Sequence, residues 1–302
     1  MTKQGTISSR RGVFLLALLA VAFAGNHVGA RLAFDHGTSI PAAVAVRSGI
    51  TALAMFVLMR MAGVTIGLDR RVLARGVGIG ALVALQSYCL YSAVARIPVA
   101  LALLAFNTYP LLLVLLIWAT GGGRPSKRVL IAIPAALLGL LLALDVLGSI
   151  ERMSGRWSEI GAGIVWSMGA SLSFTLVLHF TARGLRDLDG RLRSMLTMGV
   201  AAIITGLAGA ATHSLSLPAD AQGWLGLGLL TLLYGSAISV MFAIVPRLAV
   251  PGNIAALNVE PVVALLLAWA ILGQAVGGTQ ILGALGVVGA ISLIATDKSR
   301  SR

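Results

Sequence analysis

The chain has 302 residues, of which 58% are hydrophobic and only 11% charged, and its mean hydropathy is +0.96. Soluble domains carry about a quarter charged residues, so this chain cannot cover a water-facing surface and reads as a polytopic α-helical membrane protein. The net charge of +13 does not point to nucleic acid, because the basic residues sit in short loops between apolar runs, where membrane topology puts them.

Apolar runs of about 20 residues, the length that lets a helix cross a bilayer, recur from end to end. They predict ten spans, over residues 13–32, 41–61, 72–95, 98–119, 128–148, 160–181, 192–212, 223–245, 252–272 and 279–296. The first is preceded by twin arginines, Arg10 and Arg11, and contains Ala22-Phe23-Ala24. That pattern leaves a cleaved secretory or twin-arginine signal as a formal alternative. Within span 1 lie Asn26 and His27, the latter a candidate titrating group. Span 2 holds Arg47, the only basic residue placed inside a span. Its long side chain either snorkels to the surface or presents a cavity cation to a carboxylate.

Span 3 carries Gln86, Ser87, Tyr88 and Tyr91, span 6 carries Trp166, and span 8 carries Tyr234, Ser236 and Ser239. Tyr and Trp either wall a substrate cavity or anchor at the interface. The lone cysteine, Cys89, permits no intrachain disulfide. Gly283, Gly286 and Gly289 form a stripe on span 10 that packs within the bundle or in a homodimer. No connection is long enough for a soluble domain, and no nucleotide motif appears.

Orientation follows from Lys and Arg in the loops. With the N-terminus cytoplasmic, inside segments hold 18 basic residues and outside loops hold 4. Both termini are therefore expected in the cytoplasm, in a cell (inner) membrane.

Arg96–Ala119, RIPVALALLAFNTYPLLLVLLIWA, aligns without a gap on Arg247–Ala270, RLAVPGNIAALNVEPVVALLLAWA. Nine of the 24 positions agree, among them Asn107/Asn258, Pro110/Pro261 and Trp118/Trp269. The offset of 151 divides the chain into two five-span halves, 1–151 and 152–302. Five is odd, so the halves insert with opposite orientation. Inverted repeats around a central cavity are a design of secondary transporters. The paired halves, the Asn-x-x-Pro motifs and the Trp that follows each resemble the EamA family of the drug/metabolite transporter superfamily. LNVEP is similar to the amino-acid exporter branches of that family. Two departures stand at Gly123 and Gln274, where family members often carry Glu. The resemblance implies a metabolite carrier, usually an exporter, with ten spans around a central cavity.

Glu260 is the one acid expected deep in a span. A charge there faces a cavity, has a partner, or is protonated. A carboxylate that moves between wet and dry surroundings can bind and release a proton. Glu260 is thus a candidate for proton coupling, for a substrate ammonium, or for a structural hydrogen bond. Its repeat partner is Tyr109, expected to line the same cavity. Pro110 and Pro261 remove backbone donors and are candidate hinges. Asn107 and Asn258, three residues earlier, can satisfy the freed backbone, pair across the two repeats, or touch substrate.

The candidate substrate-binding set is Glu260, Tyr109, Arg47, Asn107, Asn258, Tyr88, Trp166 and Tyr234, with Glu260 and His27 for the proton. Glu260 and Arg47 together would suit a zwitterion. The expected function is proton-coupled export of amino acids or related metabolites by alternating access, with an uncoupled facilitator as the alternative. An enzyme is not expected, because no Ser-His signature or paired deep carboxylates occur and the four histidines show no ligand spacing. No cofactor or metal is expected. The expected partners are a small solute, the proton, the bilayer and a possible second copy, without nucleic acid.

Overall fold

The computed structural model describes residues 9–63, 69–121, 127–143, 157–185, 188–244, 260–273 and 276–295. Every regular element among them is helical: α1 Ser9–Asp35, α2 Ile40–Met61, α3 Arg70–Val94, α4 Val99–Phe106, α5 Tyr109–Ala119, α6 Lys127–Ala143, α7 Trp157–Gly184, α8 Gly190–Ala211, α9 Ala221–Ile244, α10 Glu260–Leu272 and α11 Gly278–Ala295. Six stretches, 40–61, 70–94, 101–119, 157–184, 190–211 and 221–238, are each long and apolar enough to cross a membrane. Leu, Ile, Val and Phe cover much of the outside, as on Leu53, Ile131, Leu207 and Leu232. That is the surface a bilayer solvates and water does not.

The repeat is visible where both helix starts are described: α3 begins at Arg70 and α9 at Ala221, an offset of 151. The Tyr109–Pro110 pair that begins α5 has its equivalent, Glu260–Pro261, in α10. The proposed boundary at 151/152 lies outside the described residues, as do Gly123, Asn258 and Gln274.

Predicted span 4 is two helices rather than one. Pro110 has no N–H for the carbonyl of Phe106, and its ring crowds that carbonyl. The chain breaks at Asn107–Thr108, and Pro110 restarts α5 in its first turn. Predicted span 9 is described only from Glu260, the first described residue of α10.

Small residues set the helix pairs. A Cβ on Gly29 would stand 2.9 Å from the Leu230 amide, and one on Gly226 2.6 Å from the Ala33 amide. α1 and α9 therefore cross backbone to backbone and run antiparallel. In α2 and α8, Gly49 meets Ala202 and Gly199 meets Ala52, so this repeat-related pair also runs antiparallel. α3 packs antiparallel on α7, with Gly163 against Ile97 and Gly184 against Arg75. On α11, Gly283 and Gly286 meet Gly139 of α6, so this part of the glycine stripe packs within the chain.

One end of the bundle is zipped across the repeats. The Ser39 amide donates to Ser216 O, and the Ala219 amide to His36 O. His36 pairs with Asp220 at 2.7 Å. At the same end Arg31 donates to the carbonyls of Val94 and Ala95, which would otherwise end α3 unpaired. α1 is thus an integral part of the bundle.

Candidate functional site

The polar groups of α1, α2 and α3 meet around Arg47. This side chain lies about 10 Å along α2 from Ile40, at 1.5 Å per residue. It is 4% exposed, which removes the snorkelling alternative. Its guanidinium donates to the Tyr91 hydroxyl and to Ser87 Oγ, both at 2.9 Å. It lies 4.0 Å from the Tyr234 ring centroid and 5.1 Å from that of Tyr91. Each aromatic face attracts the cation, by about 2 kcal/mol where water is excluded. Yet Nε has no partner, and among the described residues no carboxylate pairs with the group. An arginine has five N–H donors, and here two are used.

Tyr91 passes the contact on. Its hydroxyl donates to Asn26 Oδ1 at 3.1 Å, and the Asn26 amide is anchored on the carbonyl of Phe23. The neighbouring residue on α1, His27, stacks edge-on against Tyr91. Its Nε2 lies 3.5 Å from Glu260 Oε1. His27 Nδ1 is buried without a partner. Tyr109, the repeat partner of Glu260, lies between Phe106 and Phe174, with ring centroids 5.4 and 4.8 Å away. A continuous set therefore runs from Ser87 and Arg47 through Tyr91, Asn26 and His27 to Glu260. Cation and acid share one polar system without touching.

The remaining candidates lie elsewhere or act on the backbone. Tyr88 is 39% exposed and stacks edge-on with Trp166, whose ring also meets Arg96. These three form a separate cluster between α3 and α7. Asn107 is buried, and its amide donates to the Leu103 carbonyl at 2.8 Å, which makes it a local cap of α4. Pro110 sits at the observed break. Pro261 occupies the matching place in α10. Asn258 lies outside the described residues.

Sequence reasoning missed a ladder of hydroxyls on α7. Ser167 donates to the Ala102 carbonyl, Ser171 bonds Thr108 Oγ1 at 3.0 Å, and Thr175 donates to the Tyr109 carbonyl at 3.2 Å. Together they hold the broken α4–α5 element on both sides of its gap. The signal was present, since residues 167, 171 and 175 recur every four positions and share one helix face.

The chain is a helical membrane bundle built from two repeats, with Arg47 and His27 buried inside it, and its family match makes it a multi-pass transporter of the drug/metabolite type. The EamA-like transporter family matches residues 10–144 and again 161–296, and the chain belongs to that family. No curated protein matches the chain significantly. Sixteen solved chains do. One of them, titled only "Crystal structure of protein", aligns over 95% of this chain and 98% of its own with a TM-score of 0.66. At 15% identity that likeness speaks to the fold alone.

Proposed function

We propose that this protein is a secondary transporter that carries a small carboxylate-bearing metabolite, of which amino acids are the best fit, by alternating access. In this reading ten spans form two inverted five-helix repeats around a central cavity, both termini are cytoplasmic, and the membrane is the inner one. The antiparallel packing of the repeat-related helices α2 and α8, in which Gly49 meets Ala202 and Gly199 meets Ala52, supports the inversion. The observation that carries the substrate class is Arg47. It is a buried cation with unused donors and no acid among the described residues. A buried charge without a counter-charge is costly, and a substrate carboxylate would supply one in bidentate geometry.

Glu260 and His27 take the amino group and the proton. When the ammonium of a zwitterion reaches Glu260, it competes with His27 for the carboxylate. Loss of a proton from this pair then accompanies binding. Substrate and proton would thus occupy one electrostatic unit in turn, as exchange requires.

The test is counterflow. Purified protein in liposomes loaded with unlabelled solute is offered trace labelled amino acids, organic cations and purines. Uptake of zwitterions, lost in Arg47→Met, is expected. Uptake of cations alone would overturn the carboxylate assignment. Uptake independent of pH would replace exchange by an uncoupled facilitator.

A further inference from the structure

A second basic feature lies away from Glu260. α3 and α7 part at one end around a cleft of about 380 Å³ lined by Arg75, Gly78, Leu82, Phe180 and Arg183. The stem of Arg75 crosses Gly184 on the opposite helix, where an added Cβ would meet its Cδ at 3.2 Å. Two arginines from facing helices thus line one cleft. Neither has an acidic partner among the described residues. The nearby acid Asp189, just before α8, is occupied by Arg191 through two bonds of 3.0 Å. Two like charges on facing helices, with no acid paired to either among the described residues, make this end of the cleft favourable to an anion.

Below the arginines the lining turns apolar. Leu82, Ile79 and Phe180 line the cleft, Phe180 is 47% exposed, and Val77 and Leu85 elsewhere on α3 are 44% and 50% exposed. This is lipid-facing surface. A Cβ on Gly78 would meet nothing within 4 Å, whereas those on Gly76 and Gly80 would strike Leu196 and Val200. The outer two glycines of GVGIG thus serve helix packing, and the middle one leaves the cleft open. Arg70 and Arg71 begin α3 at this same end. α8 runs alongside α3, with Leu196 beside Gly76, which brings Arg191 to that end too.

We propose that this cleft binds an anionic phospholipid. The phosphate lies between Arg75 and Arg183, and an acyl chain lies over Gly78 against Leu82 and Phe180. A basic pocket between membrane helices next to an apolar groove matches both parts of such a molecule. The site is independent of the transport reading, since it shares no residue with the Arg47–Glu260 system.

Native mass spectrometry of the detergent-purified protein, titrated with dioleoylphosphatidylglycerol, dioleoylphosphatidylcholine or inorganic phosphate, tests it. The wild type is expected to bind the phosphatidylglycerol in preference to the phosphatidylcholine. The double variant Arg75→Ala/Arg183→Ala is expected to bind it roughly 30-fold more weakly, the ordinary worth of two basic residues at an anionic surface. Gly78→Leu keeps both charges, fills the cleft, and is expected to weaken it comparably. Thermal unfolding identifies any variant that has lost its fold. In that event the wild-type preference alone decides, because equal binding of the two lipids overturns the proposal. Full competition by inorganic phosphate, or unchanged lipid binding in folded Gly78→Leu, also overturns it.

Discussion

Two hydroxyls and two aromatic rings hold Arg47, and none of them carries a charge. Burying a cation this way costs stability, and replacing buried charge by a well-packed apolar side chain is often neutral or stabilising. Arg47→Met is therefore expected to unfold within about 1 kcal/mol of the wild type or later, while losing transport of carboxylate-bearing substrates. Thermal unfolding beside counterflow checks this. A variant destabilised by several kcal/mol would make Arg47 a structural residue. Glu260 differs, because its partner His27 is itself titratable. Glu260→Gln keeps the shape but removes both the proton site and the counter-charge for the ammonium, so the transport that remains is expected to be weaker and to have lost its pH dependence. An unchanged pH profile would remove Glu260 from coupling.

Helix pairs explain why glycines differ so much in consequence. Gly226 faces the backbone of α1, whereas a Cβ on Gly228, two residues on, would meet nothing within 4 Å. Gly226→Ala is expected to push α1 from α9 and destabilise by about 1–3 kcal/mol, the usual cost of overpacking. Gly228→Ala is expected to be neutral or to gain up to about 1 kcal/mol from helix propensity. Equal effects in thermal unfolding would contradict this packing. At the zipped end, the amide of Gly223, and after it the His36 ring, hold Asp220 below the usual carboxylate range. A depressed carboxyl contributes above its unfolded pKa and loses that contribution as pH falls through its lower folded value. The His36–Asp220 contact is therefore expected to fade below about pH 4. Wild type and Asp220→Asn should differ in unfolding temperature at pH 6 and converge at lower pH. A constant difference would remove the ion pair as its cause.

The opposed insertion proposed for the two halves is testable on the whole molecule. Met61 and Thr212 occupy repeat-equivalent ends of α2 and α8 and are both exposed. The native Cys89 is buried. With inverted halves, Met61→Cys is expected to label from the cytoplasm and Thr212→Cys from outside. Cysteines at Lys3 and Arg300 are expected to share the cytoplasmic side. Labelling of Met61→Cys and Thr212→Cys from one side would overturn the inversion.

Hydropathy and the internal match carried the membrane class, the two-repeat plan and the family, because lipid immersion imposes long apolar runs and repetition copies them at a fixed offset. Glu260, Arg47, Tyr109, Tyr91 and His27 were legible singly, since an ionisable or hydroxyl group in such a run is costly wherever it points. Their grouping was not legible. Whether Arg47 snorkels or turns inward depends on how α1, α3 and α9 pack around α2. Whether Tyr88 joins it depends on which face of α3 meets α7. The hydroxyl ladder of α7 became meaningful only against the gap at Asn107–Thr108, because its partners, two backbone carbonyls and the Thr108 hydroxyl, lie 63 to 66 residues away in sequence. Composition and periodicity act along the chain and so are written in it. Partnership acts across the chain, and only close-packed helices decide it.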